Sequence, residues 1–288
     1  MTSTRATQED TLEQIIADQV PSDSRHARQL ARRQLIMQVV MAEGTMRIEE
    51  LAERFAISLM TVHRDLDELI NRGLLRKSRG IVSATPTSLV ESSDVYRSMR
   101  EAVEKRAIAQ VAAQFLEAGQ AVFFDDSTTV LQMAPHIAAR VPLTAITNSI
   151  PLMNELKEMS DVTLLGLGGR YYNWCNAFMG PATTAEIRRL RADCVFLSMS
   201  AITDDMVFHQ SAEMVETKRA MFDSAAKRIL LADHTKFQRR ALHAMGTLSE
   251  FDAIIVDDGM APLQVELLRS RGINIVIAPI KQRSPHPA

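Results

Sequence analysis

Ser58, Met60, Thr61, His63 and Arg64 stand close together in a chain of 288 residues, and their side chains suit reading a nucleic acid better than breaking a bond. An arginine can fork onto phosphate or onto the O6/N7 edge of guanine, serine and threonine hydroxyls bond phosphate, and an imidazole donates or accepts. Arg76, Lys77 and Arg79 follow shortly after. Residues 25 to 80 hold 11 Lys and Arg against 7 Asp and Glu, in a chain whose formal net charge is −2. A local basic excess on a near-neutral chain points to a polyanion partner, here double-stranded DNA. A second set of residues is of another kind: Asp125, Ser127, Thr128, Thr129, Thr147, Asn148, Gly168, Gly169, Lys218, Asp233 and Lys236. Its hydroxyls, carboxylates, amide and lysines suit a small polyhydroxylated anion, a phosphorylated sugar or polyol. No HExxH, GxSxG or P-loop spacing occurs, so no catalytic residue, metal site or cofactor is expected.

The first set needs two short helices to present it. Ile48, Leu51, Ala52 and Phe55 recur at i, i+3, i+4 and i+7, and Val62, Leu66, Leu69 and Ile70 form a second such stripe, so each helix buries one face. Ser58 stands where the second helix starts and can cap it. With Val62 and Leu66 turned inward, Ser58, Met60, Thr61, His63 and Arg64 face outward near that helix's N-terminus, the end that enters the major groove in a helix-turn-helix. Gly73 and Gly80 bracket a basic ribbon of hairpin type that reads as a wing. Either helix alone would pass for an ordinary surface helix; order, spacing and ribbon together predict a winged helix-turn-helix.

The second set needs a sheet. Seven short apolar runs, 121–124, 143–146, 162–165, 194–197, 229–232, 253–256 and 273–277, alternate with amphipathic stretches. That alternation predicts an α/β domain with a mainly parallel sheet covered on both faces. The polar clusters lie directly after the runs and so fall on one carboxyl edge, where ligands bind in a crevice. Ser127, Thr128 and Thr129 would begin a helix continuing through Leu131 and Met133, whose N-terminus attracts phosphate. Asp125 and Asn148 would meet sugar hydroxyls. Lys236 would complete a phosphate cradle or pair with Asp233. Lys218, on a helix over about 212 to 226, either snorkels along its face or reaches the pocket. Strand-to-helix loops are polar in any case, and the Trp174 aromatic cluster is either a lid or packing.

The run from Ile57 to Leu69, with Thr61, Val62, His63, Arg64, Asp65 and Leu66, followed by Gly73 to Arg76, resembles the signature of DeoR-type bacterial transcriptional regulators. His63 stands where that pattern has its first arginine. The resemblance continues through Asp125 to Thr129, Thr147-Asn148, Gly168-Gly169, Glu216 to Arg219 and Ala232 to Phe237, so it covers about residues 28 to 258. It implies an effector domain similar in fold to ribose-5-phosphate isomerase and coenzyme A transferases. Ser127 replaces the family's glycine. If that position needed positive φ or a close backbone approach, a Cβ would be costly or would narrow the pocket.

The expected organisation is a mobile extension over 1–24, a winged helix-turn-helix domain over 25–84, a Ser/Thr-rich linker over 85–97, a sensor domain over 98–281 and a tail over 282–288. A long helix over about 95 to 116 could transmit between domains. No apolar run is long enough to span a membrane and the first residues form no signal core, so a cytoplasmic protein is expected. Cys175 and Cys194 read as packing residues. The leading function is a repressor of a carbohydrate or polyol operon, acting as a dimer or tetramer and relieved by its effector. The alternatives are a sugar-phosphate isomerase-like enzyme with a DNA-binding appendage, and a ligand-free architectural protein.

Overall fold

The computed structural model describes residues 43–71, 75–84, 97–98 and 100–280, together with Gln29, Arg32, Arg33, Leu35, Ile36, Met37, Val39 and Val40. The expected extension over 1–24, most of the linker and the tail lie outside the described residues. Two compact units meet in sequence at Tyr96 and Arg97.

In the first unit, strand β1 (Thr45–Arg47) leads into helix α1 (Ile48–Arg54), then α2 (Leu59–Asn71) and the strands β2 (Leu75–Ser78) and β3 (Ile81–Ala84). The three strands form an antiparallel sheet in the order β1-β3-β2. Ile36, Met37, Val40, Ile48, Leu51, Val62, Leu66, Leu69, Leu75 and Val82 are buried, which is the shared core that the helical periodicities require. Arg79 and Gly80 both have positive φ (49 and 78), the geometry that lets a two-residue turn match the twist of a hairpin.

The second unit is built on seven strands: β4 (Ala121–Phe124), β5 (Leu143–Thr147), β6 (Val162–Gly166), β9 (Ala192–Leu197), β12 (Ala225–Ala232), β14 (Ala253–Asp257) and β15 (Ile275–Ala278). Their order is β15-β14-β12-β9-β4-β5-β6 and every neighbouring pair is parallel. Successive residues of a strand serve opposite faces: Leu230 and Ala232 join one core, Ile229 and Leu231 the other. Both faces are covered, so the strands read as continuous apolar runs rather than alternating ones.

Helices α7 (Pro181–Arg188), α8 (Ala212–Asp223) and α9 (Pro262–Ser270) pack Ile187, Met221 and Leu268 into the first core; α3 (Ala102–Ala112) and α6 (Ile150–Leu156) pack Ile108 and Leu152 into the second. Two smaller antiparallel pieces were not expected. One is the hairpin β7 (Arg170–Tyr172) and β8 (Ala177–Met179); the other is the sheet of β10 (Ala201–Thr203), β11 (Met206–His209) and β13 (His243–Thr247). The transmitter helix expected over 95 to 116 is shorter. Glu101 takes a left-handed φ of 52 just before Ala102, and a 3-10 turn over Ala113–Phe115 follows Ala112.

Candidate nucleic-acid interface and effector pocket

On α2 the inward stripe leaves Ser58, Met60 and Arg64 exposed and Thr61 and His63 half-buried. Ser58 Oγ accepts from Thr61 N at 3.3 Å, so the serine stands at the start of the helix as expected. Arg76, Lys77 and Arg79 are exposed on the β2–β3 hairpin. Lys77 Nζ donates to His63 Nδ1 at 2.9 Å, joining hairpin and helix. The imidazole therefore carries its proton on Nε2, a donor for an acceptor atom in a groove. Sequence reasoning gave Asp65 a place in the family signature but no structural role. It is fully buried on the core stripe of α2 and accepts from Arg32 Nε at 2.6 Å and Arg33 Nε at 2.9 Å. A buried carboxylate is tolerable only when paired in this way, and the pairing fixes α2 against the preceding helical residues.

In the second unit β4 lies between β9 and β5, so the chain order reverses beside it, the position at which open α/β sheets take ligands at their strand carboxyl ends. Asp125 and Asp126 follow β4 into that place. Asp125 Oδ1 accepts from Ser127 N at 2.8 Å; its Oδ2 accepts from Ser198 N at 2.8 Å and Lys218 Nζ at 2.5 Å. Both of its oxygens thus accept from the protein, which makes Asp125 the clasp between the ends of β4 and β9. Lys218 does not snorkel to solvent: it is 1% exposed, and its Nζ also lies 3.0 Å from Asp126 Oδ1.

Burial alone would raise the Asp126 carboxyl, but Lys218 and Arg97 outweigh it and hold its pKa below the usual range. Burial also opposes the Lys218 charge, and Asp125 with Asp126 overcomes that and raises it. Lys236 is buried, donates to Ser198 Oγ at 2.6 Å and to the Met199 carbonyl at 2.7 Å, and is pushed down to about 8, by burial against the pull of Asp233.

Three further groups in this neighbourhood were missed from the sequence. Lys105 on α3 is buried and donates to the Arg97 carbonyl; burial, then Lys236, pushes it down to about 7. Arg97 Nη2 stands 3.6 Å from Asp126 Oδ2. His209 on β11 is buried and accepts on Nδ1 from Ser211 N at 3.1 Å; burial, then Lys218, pushes it to about 3, so it is neutral with its proton on Nε2.

Other expected residues have local duties. Ser127 has φ −72 and ψ 145, and its Oγ accepts from Val130 N, capping the one-turn helix α4 (Thr128–Leu131). Extended backbone suits any residue, so the strain expected of a Cβ at positive φ does not arise there; the expected continuation of that helix to Met133 stops at Leu131. Thr128 and Thr129 are buried. Thr147 Oγ1 accepts from Ser149 N at 3.1 Å. Asn148 Nδ2 donates to the Phe178 carbonyl at 2.8 Å, while its buried Oδ1, like Asp126 Oδ2, has no hydrogen bond among the described residues.

Gly168 and Gly169 are exposed at the turn between β6 and β7, and a Cβ on Gly169 would sit 2.0 Å from Thr183 Oγ1, so packing requires that glycine. Asp233 is buried and accepts from Thr235 Oγ1 at 2.5 Å; burial opposes its charge, but Lys236 and the Thr235 bond keep its pKa lowered. Trp174 meets Tyr172 edge-on at 6.4 Å and packs on the cluster of Cys175, Ala177, Met179 and Met214. Cys194, buried in the sheet, is pushed up to about 12, chiefly by burial.

Residues 100–258 match the family model of the DeoR C terminal sensor domain, and residues 32–87 match that of the DeoR-like helix-turn-helix domain. The chain belongs to the DeoR family. It is a DNA-binding transcriptional regulator of that family, as the signature around Arg64 and Asp65 implied. An uncharacterized HTH-type transcriptional regulator of Escherichia coli, YgbI, is 30% identical over 247 residues, 86% of this chain and 97% of that protein. The transcriptional repressor AccR of Agrobacterium fabrum is 30% identical over 230 residues, 79% of this chain and 89% of its own. The lactose phosphotransferase system repressor of Staphylococcus aureus is 32% identical over 225 residues, 77% of this chain and 89% of its own. Among solved structures, ribose 5-phosphate isomerase A of Methanocaldococcus jannaschii aligns at 12% identity and a TM-score of 0.35, over 47% of this chain and 54% of that one. Among the described residues of this DeoR family member no helix is long and apolar enough to cross a membrane.

Proposed function

We propose that this DeoR family member represses a carbohydrate or polyol catabolic operon and is released from its operator by a phosphorylated sugar or polyol held in the second unit. The reading rests above all on one observation: two buried acceptors, Asp126 Oδ2 and Asn148 Oδ1, have no hydrogen bond among the described residues in a crevice that also holds buried lysines. An unsatisfied buried acceptor costs about 1–3 kcal/mol, and a ligand hydroxyl would relieve it. Burial depresses Lys105 to about 7 and Lys236 to about 8, and an arriving phosphate would favour the charged form of both. Relatives named as sugar-system repressors support the same reading. The second unit then acts as a sensor rather than an enzyme, in the cytoplasm where the DNA is.

Release requires that the effector bind the off-DNA arrangement more tightly than the on-DNA one. One reading helix offers too little contact for tight operator binding, so the working form is a homo-oligomer on repeated half-sites. The test has two arms. Thermal shift of the full chain is measured with glucose 6-phosphate, fructose 1-phosphate, ribose 5-phosphate, glycerol 3-phosphate and inorganic phosphate. Mobility shift is measured on the promoter beside its own gene, with and without any sugar phosphate that raises the melting temperature. A complex indifferent to every one of them refutes the effector half; no salt-sensitive complex at all refutes the whole.

A further inference from the structure

His209 stands where β11 gives way to α8, the helix that carries Lys218. Between Val207 and Phe208 the register of β11 against β13 slips by one residue, and His209 comes opposite His243. A slip of this kind re-aims the side chains beyond it. His209 shares the buried face of β11 with Val207 and is 1% exposed. The groups whose charges act on its ring are those of the pocket: Lys218, Arg97, Asp126 and Lys236.

One nitrogen of the ring is committed and the other is not. Nδ1 lies 3.1 Å from Ser211 N, and a backbone N–H only donates, so Nδ1 is the acceptor and carries no proton. The proton is therefore on Nε2. Ser211 also caps α8, its Oγ accepting from Met214 N at 3.3 Å, so the residue that fixes the ring is itself fixed. Among the described residues Nε2 makes no hydrogen bond.

The two unmet acceptors of the pocket are Asp126 Oδ2 and Asn148 Oδ1. The pairing of Phe124 with Thr147 brings the residues that follow β4 and β5 to one level of the sheet edge. A hydroxyl is the group that suits one donor and two acceptors, because it accepts and donates at once. A phosphate oxygen only accepts, and the Asp126 carboxylate repels it.

We propose that His209 is a specificity-determining residue of the effector pocket: its Nε2–H donates to a hydroxyl oxygen of the bound sugar or polyol, while hydroxyls of the same ligand donate to Asp126 Oδ2 and Asn148 Oδ1. The hydroxyl-bearing end of the effector then lies toward His209 and the ends of β4 and β5, and its phosphate is left to Lys105 and Lys236. Because Ser211 holds the proton on Nε2, the imidazole offers a donor and no acceptor, and a ligand that turns a methyl or ammonium group toward it is refused. The inference rests on the effector reading of the pocket and adds the residue that reads the sugar.

The test uses the full chain with His209→Leu, which removes the donor, and His209→Gln, whose amide N–H replaces it. Glucose 6-phosphate, fructose 1-phosphate, ribose 5-phosphate and glycerol 3-phosphate are each titrated by calorimetry against the wild type and both variants. A ligand bound by the wild type binds His209→Leu roughly 2- to 12-fold more weakly, the worth of one neutral hydrogen bond, and His209→Gln recovers part of that loss. Equal affinity in the wild type and His209→Leu overturns the proposal and leaves the effector reading intact. Equal losses in both variants mark a packing role and overturn it too. If none of the four binds the wild type, the effector reading fails and this inference with it.

A second readout is on the wild type itself. Labelling the seven histidines with nitrogen-15 gives imidazole signals, that of His209 identified by its loss in either variant. Its ring nitrogens show the proton on Nε2 at about pH 7, and the Nε2 signal moves when a bound sugar phosphate is added. A proton on Nδ1, or an unmoved Nε2 signal at saturating ligand, would sink the proposal.

Discussion

Replacing Lys218 by methionine isolates the electrostatics on which the pocket rests. In the folded protein this ammonium lies 2.5 Å from Asp125 Oδ2 and 3.0 Å from Asp126 Oδ1, with lysine and both aspartates about 1% exposed. Methionine keeps most of the volume, so the packing change is small. Asp125 retains the backbone donors of Ser127 and Ser198, but among the described residues Asp126 is left with the Arg97 guanidinium at 3.6 Å. Removing one partner of a buried ion pair costs about 3–5 kcal/mol. For a unit of this size each kcal/mol moves the melting temperature by about 2–4 °C, so Lys218→Met lowers it by about 6–20 °C.

The pH dependence gives a sharper check. Asp126 is buried, which raises its carboxyl, but in the wild type Lys218 and Arg97 hold it below the ordinary value. Its contribution is therefore present above the unfolded pKa of about 3.9 and is lost as pH falls through the lower folded value. In the variant burial persists and Lys218 is gone, so the carboxyl moves upward and the sign reverses: stability is lost as pH rises through the raised value. The deficit of the variant is then larger at about pH 7.5 than at about pH 5. Differential scanning calorimetry at both pH values measures it. A melting temperature within about 2 °C of the wild type at pH 7.5, or a deficit equal at both, would refute this account of the pocket.

Other outcomes follow from the same contacts. Asp65→Ala strips the buried acceptor from Arg32 and Arg33; it destabilises the first unit by about 3 kcal/mol and abolishes operator binding, read by thermal melts of the full chain and by anisotropy. Arg64→Ala weakens operator binding by about 1–3 kcal/mol and relaxes preference at one base position, whereas Lys77→Ala weakens all duplexes alike and lowers the salt slope by about one; titrations over a salt series on specific and scrambled DNA separate the two. Lys105→Met acts on stability against pH: burial brings the wild-type lysine to about 7, so the unfolded chain binds more protons between there and the ordinary lysine value near about 10.4. Wild-type stability therefore gains from this group as pH rises across that window, and urea melts at about pH 7 and about pH 9 show a smaller rise in the variant.

The seven sheet strands were legible because a parallel strand buried on both faces has nothing but apolar residues to show, and Ile229 to Ala232 or Ala253 to Val256 can be nothing else at that length. The hairpin β7–β8 and the sheet containing β11 were not, since strands of three to five residues leave too little period to count. The start of α3 was misplaced by several residues because nothing in a glutamate at 101 signals a left-handed turn. The overlooked polar residues share a mark that was present in the sequence. Asp65 falls on the stripe of Val62, Leu66 and Leu69; Lys105 falls on that of Ile108, Ala109 and Ala112; His209 follows Val207 on the buried face of β11. A charged or titratable residue at a core position is tolerated only with a partner, and the partner is what the sequence withholds. Arg97 carries no such mark.

The closed clasp at Asp125 bears on how members of such a lineage acquire new inducers. A carboxylate that already accepts from two backbone N–H groups and one lysine serves the scaffold first, so exchanging it unseats the ends of β4 and β9. On the effector reading proposed above, discrimination between metabolites rests instead on the neighbouring acceptors Asp126 Oδ2 and Asn148 Oδ1, which have no hydrogen bond among the described residues.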